Sequence, residues 1–320
     1  MGAHPSGAPD SESGRALLAA VARAHYLEGR SRVDIADELG VSRFKVARLL
    51  ARATEQGIVT IQINDQGLPA PDLAGRLRAE LGLDACRVVR SHGDGDSIRH
   101  HVGTAAAGLL SETLRPDEVL GVAWGRTLTA TTSQLERLPR LSVVQLTGVI
   151  AGDISSSPIE VARQVFSHSG GDVHPIFAPL FVPDAKTAEG LRRHPDIRAV
   201  MTLFPRLTTA VLSVGSWDPP DSQMRGVLPD EDLARVVDGG VVADIAGILL
   251  TGSGAPVDPA LQERCITISY EQLRAVPRVI AVAGGAAKAN AVRVVARAGL
   301  ITELVTDQTL ALAVLGGPDA

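Results

Sequence analysis

Residues 31–63, SRVDIADELGVSRFKVARLLARATEQGIVTIQI, constrain the chain more than any other stretch, because they carry the punctuation of two short crossed helices and a following strand. Ser31 brings a hydroxyl that can cap a helix, and Asp34, three residues on, favours the positive end of its dipole. Ile35, Ala36 and Leu39 then fall on one face at helical spacing. Gly40 supplies the positive φ that a tight turn between two helices needs. Ser42 caps a second helix with the apolar face Val46, Leu49 and Leu50, while Arg43, Lys45, Arg48 and Arg52 lie elsewhere on its circumference. Gly57 ends that helix, and Ile58–Ile63 alternates as a strand does, which predicts a wing. Helix, short turn, basic helix and wing together predict a winged helix-turn-helix.

A helical hairpin with a solvated charged face has the same outline. Two features favour DNA over it: the length of the Gly40-Val41-Ser42 turn, and the crowding of cations at the start of the second helix, the end that enters a major groove. Residues 15–63 carry eight Lys and Arg against five Asp and Glu, a net +3, whereas residues 64–320 carry −6 within a chain total of −5. A basic head on an acidic body suits nucleic-acid binding by the head alone. Ser42, Arg43, Lys45, Arg48 and Arg52 are the expected DNA contacts.

The chain of 320 residues is long enough for about two domains. Aromatics make up only 3% of a 45% hydrophobic composition, so the core is built of Ala, Val, Leu and Ile, which suits sheets covered by helices. Cys86 and Cys265 stand alone with no ligand spacing and read as packing thiols in a reducing cytoplasm. Residues 1–14 lack the basic and apolar regions of a signal peptide and read as a flexible tail. No apolar run reaches the roughly 18 residues of a membrane span.

The expected organisation is a tail at 1–14, the DNA-binding head at 15–63, a Gly- and Pro-bearing linker at 64–71 and a larger α/β domain at 72–320. Within the last, short apolar runs read as buried strands at Cys86–Val89, Val119–Trp124, Ser142–Thr147, Val173–Phe177, Thr209–Val214, Val279–Ala283 and Glu303–Val305. Helical stretches alternate with them, notably Ile98–Thr113, Pro158–Ser167, Asp230–Val237, Ala286–Ala298 and Gln308–Leu315. This rhythm predicts a mostly parallel sheet with helices on both faces, whose ligands sit beyond the carboxyl ends of the strands.

Four loops at those ends hold the candidate effector residues: Gly125-Arg126-Thr127, Thr147-Gly148, Gly284-Gly285 with Lys288 in the following turn, and Thr306-Asp307. Exposed backbone N–H groups at a helix start, with an ammonium beside them, make an anion site. The double glycine serves equally well as a plain strand-to-helix turn with a solvated lysine. Asp244, a carboxylate in the apolar VADIAG stretch, can accept bonds from sugar hydroxyls or simply satisfy a turn. Trp217 can wall a pocket or pack in the core. Neither a Walker sequence nor GxGxxG occurs, so no nucleotide cofactor is expected, and the histidines, including His100-His101, have no metal-ligand spacing.

The motifs IADELGVSRFKVARLLARATEQGIV, GVAWGRTL, VVQLTG, PIEVA, TTAVLSVGSW, VADIAG, VAGGAAKANAV and LVTDQTLALAVL together resemble the SorC family of sugar-responsive transcriptional regulators, over about residues 15–315. The resemblance implies a Rossmann-like effector domain similar to the sugar-phosphate isomerase and deaminase fold, without its catalysis. It also implies assembly as a dimer or tetramer, and operator DNA and a small sugar or sugar phosphate as partners. It places the family's phosphate lysine at Lys288, its small-residue phosphate loop at Gly125, Arg126 and Thr127, and its sugar-hydroxyl carboxylate at or near Asp244. The chain departs from the pattern at Arg126, where a small hydroxyl residue is common, at Ser155-Ser156-Ser157, at Ile248–Thr251, and at Phe44-Lys45 in the recognition helix. These departures leave the identity of the sugar and its phosphorylation open. The expected function is a repressor of a carbohydrate operon; the alternative is a sugar-phosphate isomerase or deaminase using Asp244 as its base.

Overall fold

The computed structural model describes residues 12–60, 65–150 and 156–316. Its internal contacts divide the chain into two units, 1–64 and 65–320. The first unit holds three helices, α1 (Glu12–Tyr26), α2 (Arg32–Leu39) and α3 (Arg43–Glu55). Helix α1 thus reaches into the segment expected as a tail. Ser31 and Asp34 close a reciprocal capping box at the start of α2, each side chain accepting from the other's backbone N–H at 3.2 Å. Gly40 ends α2 at φ 63°, a conformation that would strain a side chain. Ser42 caps α3 by accepting from Lys45 N at 3.2 Å.

Leu18, Val21 and Ala22 of α1 meet Ile35 and Ala36 of α2 and Val46, Leu50 and Ala53 of α3 in one small core. Leu39, expected on the core face, is 40% exposed at the rim of a groove between α1 and α2. The predicted wing is not a strand at its start: the N–H groups of Ile58 and Val59 both turn back to the Ala53 carbonyl, at 2.8 and 3.0 Å, and close the end of α3. Residues 61–63, the remainder of that prediction, lie outside the described residues.

The second unit begins with α4 (Pro71–Leu81), β1 (Ala85–Val89), α5 (Gly95–Thr113), β2 (Val119–Val122), α6 (Arg126–Thr132), β3 (Ser142–Gln145), α7 (Pro158–Ser169) and β4 (Asp172–His174). It continues through α8 (Ala185–Arg193), α9 (Pro195–Met201), β5 (Thr209–Ser216), α10 (Asp230–Asp238), β6 (Val241–Ile245) and β7 (Ile248–Thr251). It closes with α11 (Pro259–Glu263), α12 (Tyr270–Arg274), β8 (Arg278–Val282), α13 (Ala289–Arg297), β9 (Glu303–Asp307) and α14 (Gln308–Val314). Seven strands, in the order β1-β9-β8-β5-β2-β3-β4, pair in parallel throughout. Alternate residues enter opposite cores: Ala210, Leu212 and Val214 of β5 go to one and Val211 to the other, as Ala281 and Ile280 of β8 do. This period of two, with helices on both faces, is the expected α/β architecture.

Two features differ from the sequence reading. Residues 65–70 do not hang free as a linker; they run along the outer edge of β1, where Gly67 N donates to Arg90 O at 2.7 Å and Ala70 N to Val88 O at 2.8 Å. Their Pro and Gly mark an edge segment. The apolar stretch from Val241 to Thr251 is an antiparallel hairpin, β6–β7, turning at Ala246 and Gly247 with φ 48° and 80° and laid against the end of β5. Both of its faces are buried, so no alternation betrays it in the sequence.

Candidate functional site

The chain runs from β2 outward to β3 and β4, then returns to the other side of β2 with β5. Such a reversal opens a crevice at the carboxyl ends of the two central strands. A small, partly open cleft of about 30 Å³ lies there. Trp124, Gly125 and Arg126 leave β2 on one side; Ser213, Val214 and Gly215 end β5 on the other; Asp221 and Gln223 descend from the loop after β5; Asp244, Ala246 and Lys288 complete it.

Two glycines make the floor possible. A Cβ on Gly125 would stand 2.4 Å from Cβ and Oγ of Ser213, and Gly125 has φ 142°, so only glycine lets the exit of β2 pass over β5. Ser213 Oγ there accepts from Leu128 N at 3.1 Å and pins the first turn of α6. A Cβ on Gly215 would lie 2.2 Å from Oδ1 of Asp244, so the carboxylate rests directly on the strand backbone. Trp217 donates from Nε1 to that Oδ1 at 2.8 Å, and Ser222 hydrogen-bonds the same carboxylate. Burial nevertheless pushes the Asp244 carboxyl above its ordinary range. Trp217 is a buried fastener of Asp244; the indole that walls the cleft is Trp124.

Lys288 arrives at the end of the short turn Ala286–Lys288 that leads into α13 and is only 9% exposed. Its Nζ donates to Val214 O at 2.8 Å and lies 3.3 Å from Asp221 Oδ2. Arg126 donates to the backbone O of Asp221 at 2.8 Å and pairs with its Oδ1. Burial lowers the Lys288 ammonium from its usual value, opposed chiefly by Asp221. Burial raises Asp221, but Lys288 and Arg126 outweigh it and hold that carboxyl below the usual range.

Of the effector residues expected from the sequence, Gly125, Arg126, Asp244 and Lys288 meet in this cleft. The others lie outside it. Thr127 turns into the interior and is 2% exposed. Thr147 and Gly148 are committed to backbone pairing with residues 266 and 267, and a Cβ on Gly148 would meet Ala178 O at 2.7 Å. Asp307 accepts from Gly285 N at 2.7 Å and caps α14 through Thr309 N at 2.8 Å, fixing the Gly284-Gly285 loop that delivers Lys288. Sequence reasoning missed Asp221, Ser213, Gln223 and Trp124. The Asp218-Pro219-Pro220-Asp221 turn directly after a predicted strand was the available signal.

The second carboxylate matters for the enzyme alternative, which needs a free base. Asp221 is shared between two cations and Asp244 is held by Trp217 and Ser222, so both carboxylates are already engaged. Among the described residues no cluster of three His, Cys, Asp or Glu is placed to hold a metal, and no helix is long and apolar enough to cross a membrane. Burial pushes both the Cys86 and Cys265 thiols up to about 12.

On the head, Arg43, Lys45 and Arg48 are exposed on α3 and form no ion pair among the described residues, while Arg52 is half-buried. The Arg43 guanidinium stands 5.0 Å over the ring of Phe44, itself 67% exposed. Ser42 is occupied as the cap.

Residues 70–316 match the Sugar-bind family model of sugar-binding domains. The erythritol catabolism regulatory protein EryD of Brucella abortus (strain 2308) is 27% identical over 315 residues, covering 97% of this chain and 99% of its own length. The transcriptional regulator LsrR of Klebsiella pneumoniae subsp. pneumoniae is 29% identical over 310 residues, covering 93% and 92%. The crystal structure of the full-length sorbitol operon regulator SorC from Klebsiella pneumoniae shares the fold with a TM-score of 0.72 at 22% identity, over 95% of this chain and 100% of that one.

Proposed function

This chain belongs to the Sugar-bind family of sugar-binding domains, and on that premise we propose that it is a transcriptional regulator, a repressor of a carbohydrate-metabolism operon. Its operator affinity is set by a small sugar or sugar phosphate in the cleft between β2 and β5. The observation that carries the reading is Lys288: a nearly buried ammonium aimed, with Arg126 and Asp244, into a cleft at the switch point of a parallel sheet. Family relatives named as regulators support the DNA side.

Arg43 and Lys45 reach base edges or phosphates from the first turn of α3, and Arg48 and Arg52 hold phosphate. One such helix reads too little sequence alone, so the protein acts in the cytoplasm as a homodimer or tetramer with half-sites about one helical turn apart. The effector shifts DNA affinity by binding one arrangement of subunits more tightly, a coupling of about 1–3 kcal/mol.

Fluorescence anisotropy with DNA from upstream of its own gene tests this, using a panel of sugars, polyols and their phosphates. One class of compound is expected to change DNA affinity by about 5–150-fold. The Asp244→Ala protein should bind the same DNA and lose the response. A response that survives Asp244→Ala would refute the cleft as the effector site.

A further inference from the structure

Cations at a strand-end crevice ordinarily attract an anionic ligand. In this chain the anion is built in. The two carboxylate oxygens of Asp221 are divided between the cations, Oδ1 to Arg126 and Oδ2 to Lys288, and its backbone carbonyl takes a second bond from Arg126. The loop that presents it is fastened on several sides. Asp221 N and Ser222 N both donate to Ser216 O at 2.9 Å, Arg225 donates to Trp217 O at 3.3 Å, and the Trp217 indole is tied to Asp244. Asp221 is therefore a fixed wall of the cleft.

A phosphate monoester brings nearly two negative charges. With Asp221 in place it would meet a carboxylate between the cations it needs, and Asp244 lies in the same cleft. Expelling Asp221 would break two ion pairs and a backbone bond and leave a partly buried carboxylate without them. A neutral polyol or sugar meets no such conflict. Its hydroxyls can donate to Asp244 and exchange bonds with Ser213 and Gln223, and its C–H face can lie on Trp124.

We propose that Asp221 sets the effector class of this chain: by occupying Arg126 and Lys288 it makes the cleft a site for an unphosphorylated polyol or sugar and turns phosphate esters away. The proposal rests on the reading of the cleft as the effector site and narrows its ligand.

Isothermal titration of the full-length protein and its Asp221→Asn form is the test. The probes are erythritol, ribitol, sorbitol, ribose and glucose, the phosphate monoester of each, and inorganic phosphate. The wild type is expected to bind at least one neutral compound and to bind its phosphate ester at least tenfold more weakly. Asp221→Asn, with two cations released, should gain at least tenfold in affinity for inorganic phosphate and for the esters. Melting scans guard against a misfolded variant: Asp221→Asn should melt below the wild type and be restored by inorganic phosphate in a concentration-dependent way, where Asp221→Asn/Lys288→Ala is not. A wild type that binds an ester more tightly than its neutral parent overturns the role of Asp221 and leaves the cleft as the effector site. A wild type that binds no compound of either kind overturns both.

Discussion

Replacing Arg43 and Lys45 together by alanine strips two exposed cations from the first turn of α3 and leaves its core face, Val46, Leu50 and Ala53, untouched. The cap survives, because Ser42 accepts from the backbone N–H of Lys45 and not from its side chain. The head should therefore keep its stability to within about 0.5 kcal/mol. Each cation resting on a phosphate contributes about −0.9 to the slope of log affinity against log salt. Two heads in a dimer lose four such contacts, which flattens the slope by about 3.6. Between about 50 and 200 mM salt the variant then loses about 150-fold less affinity than the wild type loses. If one of the two residues reads a guanine edge, about half of that flattening remains and discrimination against a mutated operator falls by about 1–3 kcal/mol. Anisotropy titrations at three salt concentrations, on operator and scrambled duplexes, separate these cases. An unchanged slope and affinity, with circular dichroism showing a folded head, would refute the assignment of α3 as the DNA-reading helix.

Gly125→Ala forces a Cβ to 2.4 Å from Ser213 at a φ of 142°. Overpacking and backbone strain together should cost about 2–5 kcal/mol in urea unfolding, and a loss under 1 kcal/mol would contradict the close crossing of the two strands. Trp217→Phe deletes the indole donor to Asp244 and should destabilise the protein by about 1–3 kcal/mol, again by urea unfolding; no change would mean that the bond is not made in solution. Asp221 gives a pH signature. Burial raises its carboxyl but Lys288 and Arg126 hold it below the usual 3.8, so its stabilisation is complete above that value and disappears as pH falls through the lower folded one. The difference in Tm between wild type and Asp221→Asn should be flat from about pH 7 to pH 5 and shrink below about pH 3.8, and a difference undiminished at pH 2.5 would argue against the ion pairs.

The parts legible in the sequence were those that the backbone imposes locally. Ser31, Asp34, Gly40 and Ser42 announce two helices because a cap and a left-handed turn are chemical requirements of the chain at those positions. The parallel strands show as short apolar runs because both faces of the sheet are covered. The β6–β7 hairpin did not show, since Asp244 interrupts the apolar run of β6 and the turn at Ala246-Gly247 leaves a single glycine as its signal. Strand-end loops pointed to the right end of the sheet but not to which of them meet. Gly284, Gly285 and Asp307 carry the chemistry of a ligand loop yet spend it on one another, because Asp307 consumes the free N–H of Gly285 and the first turn of α14. Asp221 lies 67 residues before Lys288 in the sequence and has no local pattern, so only the tertiary fold brings them together.

The residues of the cleft differ in how freely they can change. Gly125, Gly215 and Ser213 are set by the close passage of strands, and altering them disturbs the sheet. Lys288 is set by its bond to the Val214 carbonyl at the end of β5. Asp221 hangs from a turn whose attachments to Ser216 are made by its backbone, so another side chain can replace the carboxylate without unfastening the loop. The charge of the cleft can therefore be reset at one position at the cost of two ion pairs, with the backbone attachments of the loop unchanged. With a neutral residue there, the same lysine and arginine would await an anion; with aspartate the cations are satisfied, and on the proposed reading selectivity would pass to Asp244, Ser213 and Gln223. A regulator built in the proposed way would change the class of signal it answers by one substitution in a loop, with the sheet and the N-terminal helices left as they are.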